Sequence, residues 1–295
     1  MINMHKLIIL ILVSCTFLGC QAENKNNASK DKVVKIDKVY SLQLGVEGEN
    51  KFIEYAKDSL DKQPAGISFR NLNFNPPNLG KVSLDVAGQS LIIDHVFNVM
   101  GSSIDYDPNL KGIQTLDINA GLNKEEFVNE EEAYQAYTHL VKQLNKNGWQ
   151  KYILISSARI DNNDNLKSIY DTGLVVDPNY ILSYEEWSNF FNINSSFDYN
   201  LYQKGVYLTI SINKGKSKDN QKQYMLRYDV RIMKYYIKNL ISESRNMNSI
   251  ELKKAYDLEM LKFKNERLIS EKDIIKQGYK IDENYKDPDV WDYVK

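Results

Sequence analysis

Residues 199–233 contain three consecutive stretches in which apolar and polar side chains alternate. The alternating side chains of the middle stretch are Val206, Tyr207, Leu208, Thr209, Ile210, Ser211 and Ile212. A period of two residues is that of a β-strand with one buried face. A Lys-Gly turn at 204–205 and a polar loop at 214–220 separate the stretches, and short connections of this kind join antiparallel strands. The pattern predicts an antiparallel meander with strands at 199–203, 206–213 and 223–233.

The most regular helical pattern lies at residues 130–147, near the middle of the chain. Its apolar side chains recur at helical spacing and are Ala133, Tyr137, Leu140, Val141 and Leu144. Asn129 and Glu132 have the spacing of a capping box, and Gly148 is placed to end the helix. We therefore predict one well-defined helix in the centre of the chain.

The remaining elements are predicted from shorter patterns. Strands are expected at 33–44, 66–74, 81–86, 90–99, 112–119 and 149–159. Helices are expected at 49–60, 184–191, 234–242, 249–268 and 271–277, the last capped by Ser270. The fold class predicted is α+β, with mainly antiparallel sheet, one strong central helix and a helical C-terminal region. Residues 33–295 form either one globular unit or two tightly joined halves, about 33–148 and 149–295.

The first twenty residues have the pattern of an export signal. Lys6 precedes an apolar run from Leu7 to Val13, and Ser14-Cys15-Thr16-Phe17-Leu18-Gly19-Cys20 follows. The run is too short to cross a bilayer, which takes about 20 residues. Residues 21–32 are polar and are expected to form a flexible tether.

The end of this segment resembles the lipobox of bacterial lipoproteins, a small or apolar triplet before a cysteine. Leu12-Val13-Ser14-Cys15 and Phe17-Leu18-Gly19-Cys20 both fit in part. Cys20 is favoured because it leaves an apolar region of normal length and no unpaired thiol, and Cys15 is the alternative. The resemblance implies a signal peptide at 1–19, a tether at 20–32, and a diacylglycerol on the cysteine with an added fatty acid such as palmitate.

The same resemblance implies a location outside the cytoplasm. Gln21, rather than Asp, follows Cys20, which favours an outer membrane and a position facing the periplasm. Removing residues 1–19 leaves 37 basic and 39 acidic residues, a net charge of −2. A charge so close to zero argues against nucleic acid as a partner.

No pattern of catalytic or metal-ligating residues stands out. His139 is expected on the central helix and His95 in a strand, both with structural roles. The stretches starting at Asp105 and Asp161 have oxygen-bearing side chains at alternate positions, as calcium-binding loops do. They lack the Gly and Glu that an EF-hand requires, and they are predicted to be Asx turns. We expect no metal, no cofactor and no enzymatic activity, although a carboxylate pair using Asp94 or Glu125 would suit a cell-wall or glycan hydrolase.

The 20 tyrosines are the remaining candidate for function. Tyrosine gives large contact area at low entropic cost and is common in binding surfaces. The candidate binding face in the meander consists of Tyr199, Tyr202, Tyr207, Tyr224 and Tyr228. The sequence thus favours a lipid-anchored, non-catalytic module for a protein partner in the cell envelope, in its sharpest form an immunity protein against a toxin delivered to the periplasm. An envelope-assembly or solute-binding lipoprotein is the main alternative.

Overall fold

An eleven-stranded sheet runs through residues 38–294, the part of the chain that the computed structural model describes. The strands are β1 (Val39–Leu42), β2 (Leu60–Gln63), β3 (Ile67–Asn73), β4 (Gly80–Val86), β5 (Gln89–Ile104), β6 (Ile113–Gly121), β7 (Gln150–Lys151), β8 (Leu174–Val175), β9 (Ser196–Gln203), β10 (Val206–Lys218) and β11 (Gln221–Ile232). The helices are α1 (Gly45–Tyr55), α2 (Glu130–Lys146), α3 (Asn165–Thr172), α4 (Tyr184–Ile193), α5 (Met233–Leu240), α6 (Ser249–Lys276) and α7 (Trp291–Val294). Two short 3₁₀ turns lie at Asn162–Asp164 and Ser244–Asn246.

The strand order along the sheet is β1-β4-β5-β6-β11-β10-β9-β7. The long strand β5 pairs with β4 through its first half and with β3 through its second half, and β2 extends β3. The pairs β1–β4 and β8–β9 are parallel, and the other pairs are antiparallel. Together with the central helix and the long α6, this confirms the predicted α+β class.

The predicted meander is present as β9, β10 and β11. Ile210 of β10 pairs with Tyr199 on one side and with Tyr228 on the other. β11 then pairs with β6, which comes from the first half of the chain. Asp37–Lys295 form one compact unit, and this pairing carries the sheet across residue 148, where the two suggested halves would divide.

One face of the sheet, called the inner face here, is the one to which Leu208, Ile210 and Ile212 point. These side chains pack in one apolar cluster with Phe52 of α1, Ile169 of α3 and residues of α2 and α4. Helix α2 has the predicted capping box at Asn129, and Gly148 follows it with a φ of 76°. The five predicted apolar residues of α2 are all buried. Most of the hydrophobic core therefore lies between the inner face and these helices.

Among residues 38–294, an apolar cluster covers one end of the opposite face of the sheet, the outer face. There Tyr207 packs with Met233 and Ile237 of α5, with Leu252 of α6 and with Val290 near the C-terminus. These residues form a second, smaller apolar cluster. The rest of the outer face is not part of this cluster.

Two predictions of secondary structure were wrong, and the helix expected at 49–60 has other bounds, since α1 ends at Tyr55 and Leu60 begins β2. The strand expected at 149–159 is limited to β7. Beyond it, the N–H of Ile153 donates to the hydroxyl of Tyr285, at 3.0 Å. Arg267 of α6 donates to the carbonyl oxygens of Leu154 and Ser157, at 3.1 and 3.0 Å. Ser270 does not cap a separate helix, because α6 continues through it to Lys276. No helix among residues 38–294 is both long and apolar enough to span a membrane.

Candidate functional site

The five tyrosines of the predicted binding face do not lie on one surface. Tyr199, Tyr224 and Tyr228 point to the inner face and are buried in the main apolar cluster. Tyr202 and Tyr207 pair with each other on the outer face, under α5 and the C-terminal segment. The five side chains therefore cannot form a common exposed face, and the prediction is corrected on this point.

Burial raises the pKa of the tyrosine hydroxyls in the main apolar cluster. The hydroxyl of Tyr199 donates to that of Tyr137 on α2, at 3.2 Å, and the N–H of Leu182 donates to the same Tyr137 oxygen, at 3.1 Å. Burial raises the pKa of Tyr137 to about 12 and that of Tyr199 well above its ordinary value. These hydroxyls are neutral structural groups at physiological pH. Cys20 and its alternative Cys15 lie outside the described residues.

The surface that remains available is the uncovered part of the outer face. Two adjacent rows of side chains cross six strands in the order β3, β5, β6, β11, β10, β9. The first row is Asn73, Asn98, Asn119, Arg227, Ser211 and Asp198. The second row is Asn71, Met100, Asp117, Asp229, Thr209 and Asn200. We call these twelve residues the open face, because Asn73 and Arg227 are exposed and the other ten are half-buried.

The side chains of the open face are linked to one another across the strands. The Nδ2 of Asn119 donates to Oδ1 of Asn98 at 2.9 Å, and Nη2 of Arg227 donates to Oδ1 of Asp117 at 2.8 Å. Arg231, in the next row, donates to both carboxylate oxygens of Asp229. Such links hold the amides and the guanidinium groups in fixed positions. The open face is therefore an ordered array of hydrogen-bond donors and acceptors.

A cavity lies at each end of the open face. One has a volume of about 520 Å³, and its lining includes Phe97, Met225, Pro77, Leu79 and Glu125. The other has a volume of about 290 Å³ and lies between the sheet and α5. Its lining includes Thr115, Asp117, Asp229, Arg231 and Tyr235. The open face therefore lies between a mainly apolar cavity and a charged, aromatic one.

Asp94 and Glu125, the carboxylates considered for catalysis, lie near His95. Asp94 is in an exposed ion pair with Lys81, at 3.0 Å. Glu125 lines the mainly apolar cavity. Burial lowers the pKa of His95, against the opposing influence of Asp94, so that this imidazole is neutral at pH 7. Within residues 38–294, no hydrogen bond or ion pair links Asp94, Glu125 and His95 to one another.

The two calcium-like stretches are Asx turns, as predicted. Oδ1 of Asp107 accepts from the N–H of Asn109, and Oδ1 of Asp161 accepts from the N–H of Asn163, both at 2.9 Å. Within residues 38–294 no cluster of histidine, cysteine and acidic side chains could hold a metal ion. What the open face does present is hydrogen-bonding amide, carboxylate and guanidinium groups.

The open face was missed in the sequence because its members look like ordinary outward-facing strand residues. Asn119 and Arg227 are more than 100 positions apart and meet only through the β6–β11 register. The chain matches no protein-family model, no curated protein and no solved structure.

Proposed function

We propose that this chain is a membrane-anchored extracytoplasmic lipoprotein that binds a protein partner through its open face and catalyses no reaction. The open face is the observation that carries the proposal. It is an array of eleven polar side chains and Met100 that lies outside the apolar cluster under α5 and α6. Its residues are held by bonds along the surface, as recognition by a preformed surface requires.

The composition of the open face supports a protein as the partner. The chain has 32 lysines and only six arginines. The twelve positions of the open face nevertheless include Arg227, no lysine and no glutamate, and Phe97, Met225 and Tyr235 line the cavities at its ends. Arginine, methionine and aromatic residues are enriched at protein interfaces, whereas lysine and glutamate are depleted. Aspartate and serine are depleted too, so the support comes from Arg227, Met100 and the cavity linings and not from the aspartates and the serine of the open face.

The most specific form of this proposal is that the partner is a toxin delivered into the periplasm and that the chain is the immunity protein that neutralises it. The support for this form is the mildly acidic mature chain, the expected lipid anchor and a site suited to recognition. The anchor places the binding module at the membrane where such a toxin arrives. An anchor with two or three acyl chains would hold it there stably.

The binding part of the proposal is tested by capture from envelope extracts. A variant with Arg227→Ala and Asn119→Ala removes two neighbours from the first row of the open face. We expect it to retain at least about tenfold less partner than the unmodified chain, because truncation of interface arginines commonly costs this much. The matched control is Arg245→Ala with Asn246→Ala, which changes an exposed Arg and Asn outside the open face.

Circular dichroism should show all three proteins folded. The exposed ion pair of Arg227 contributes little to stability, and loss of the hydrogen bond from Asn119 to Asn98 should cost about 1 kcal/mol. The proposal is supported if one envelope protein is retained by the unmodified chain and by the control but lost with the open-face variant. It is wrong if the open-face variant retains the same proteins.

The anchor is tested separately by labelling growing cells with radioactive palmitate. Cys20→Ser should abolish labelling and leave unprocessed precursor, whereas Cys15→Ser should not. If Cys15→Ser alone abolishes labelling, Cys15 is the lipidated residue. If neither does, the chain is not a lipoprotein.

A further inference from the structure

Helix α6 has apolar side chains on two opposite sides. One side packs on the protein through Leu252, Tyr256, Met260 and Phe263. The other side carries six side chains that stay exposed, which we call the outer stripe. They are Ile250 (83% exposed), Leu258 (69%), Leu261 (57%), Leu268 (53%), Ile269 (62%) and Ile275 (53%).

The outer stripe is continuous along the helix. An α-helix turns by about 100° and rises about 1.5 Å per residue, so these six positions fall within one side of α6 over a length of about 38 Å. Single exposed apolar residues need no explanation, but a contiguous row of this length marks a surface that contacts another molecule. The fold has already used the opposite side of α6, so the row is not required for packing.

Lysines accompany the outer stripe on the same side of the helix. They are Lys254, Lys262, Lys264, Lys272 and Lys276, and all five are exposed. The acidic residues on this side are Glu251, whose carboxylate accepts from the N–H of Asn248, and Asp257, which pairs with Lys253. At its border, Glu259 and Asp273 pair with Lys262 and Lys276, so the basic character rests on the other three lysines. Among the ion pairs of residues 38–294, none involves Lys254, Lys264 or Lys272. The side is therefore apolar and basic in a chain whose net charge is slightly negative.

We propose that the outer stripe of α6 binds the surface of an anionic lipid bilayer, with the helix lying in the plane of the membrane. Leucine and isoleucine side chains would enter the boundary between headgroups and acyl chains, and the lysines would extend to the lipid phosphates. Each lysine near an anionic surface strengthens binding about fivefold. The inference does not depend on a lipid anchor, because α6 belongs to the compact unit Asp37–Lys295.

A second copy of the chain fits this surface less well, because Lys254 and Lys272 lie in the middle of the outer stripe. In a parallel pair of α6 helices each of these lysines would face its own copy. In an antiparallel pair centred on the helix, Lys254 of one copy would lie close to Lys272 of the other. Like charges would meet in both arrangements, whereas an anionic membrane complements them.

The experiment is vesicle flotation with the chain starting at Gln21, which retains Asp37–Lys295 and lacks both cysteines and the apolar N-terminal run. The vesicles are phosphatidylcholine alone or phosphatidylcholine mixed with phosphatidylglycerol. We expect binding to the mixed vesicles. Leu258→Ser with Leu268→Ser should weaken it by at least about tenfold, and Lys254→Gln with Lys264→Gln and Lys272→Gln by about a hundredfold.

The matched control is Val46→Ser with Ile193→Ser, which removes two exposed apolar side chains outside α6. It should bind the mixed vesicles as the unmodified chain does. The proposal is overturned if the unmodified chain does not float with the mixed vesicles, or if the Leu258 and Leu268 variant floats equally well. It is also overturned if light scattering shows a dimer that the same variant converts to a monomer, because the outer stripe would then cover a second copy.

Discussion

At the scale of single residues, the type of a side chain does not determine which face of the sheet it lies on. The tyrosines of the meander were expected to share a surface, but strand register sends Tyr199 and Tyr228 to the inner face and Tyr207 to the outer face. The two faces are covered by different sets of helices. Alternation alone separates Tyr199 from Tyr202, three positions later on β9, but it could not reveal that both faces are covered at these positions.

A buried ion pair was also invisible in the sequence. Asp107 was recognised as a turn residue, but its partner Lys238 lies on α5, 131 positions away. Both side chains are almost fully buried, with 3% and 6% of their surface exposed. Burial alone would raise the pKa of Asp107, but the hydrogen bonds from Lys238 and from the N–H of Asn109 outweigh it and hold this pKa below its ordinary value.

Asp107→Asn should lower the free energy of unfolding at pH 7 by about 3–5 kcal/mol, because it leaves the Lys238 ammonium buried without a carboxylate. The measurement is urea denaturation followed by circular dichroism. A second variant, Asp107→Asn with Lys238→Met, removes both charges and should recover most of the loss. A cost below about 1 kcal/mol for the single variant would mean that the pair is hydrated.

The same pair predicts a pH dependence. A carboxyl group with a lowered pKa contributes stability above its ordinary pKa, and the contribution is lost as the pH falls through the folded-state value. The difference in unfolding free energy between the unmodified chain and Asp107→Asn should therefore be constant near neutrality and shrink below about pH 4.

At the scale of elements, local signals predicted α2 almost completely. Its cap, its buried stripe and its terminal glycine are all determined within twenty residues of sequence. By contrast, the strand expected at 149–159 stops after β7, where Tyr285 and Arg267, more than 100 positions later, bind backbone groups of residues 153–157. Local patterns thus predict an element well where its partners are local, and less well where a distant side chain competes for the backbone.

The cap of α2 gives a prediction at this scale. Asn129→Ala removes the oxygen that accepts from the N–H of Glu132, at 2.9 Å. We expect a loss of about 1 kcal/mol in the free energy of unfolding. Asn129→Ser, which can still cap the helix, should keep most of the stability. An equal loss in both variants would show that packing around Asn129, and not the cap, is responsible.

At the scale of the whole molecule, one sheet joins early and late parts of the chain. The α+β class and most strands could be predicted from the sequence, but the strand order could not, because β6 and β11 are separated by about 100 residues. The open face exists only through this order, since its rows take side chains from both parts of the chain. Neither the open face nor the outer stripe of α6 follows from local patterns alone.

The continuous sheet predicts that residues 37–295 unfold in one cooperative transition. Far-ultraviolet circular dichroism and tryptophan fluorescence should give the same midpoint, and the calorimetric and van't Hoff enthalpies should agree. Two separate transitions would instead support two joined halves that divide near residue 148.

The contacts of Arg267 have a consequence for the synthesis of the protein. Its guanidinium, 6% exposed, donates to both carboxylate oxygens of Asp287, at 2.7 and 2.9 Å, as well as to two backbone carbonyl groups. A chain cut before Asp287 would retain a buried cation without its carboxylate, which is strongly destabilising. Incomplete translation products should therefore remain unfolded and be degraded by proteases, so that only chains that reach the C-terminal segment accumulate.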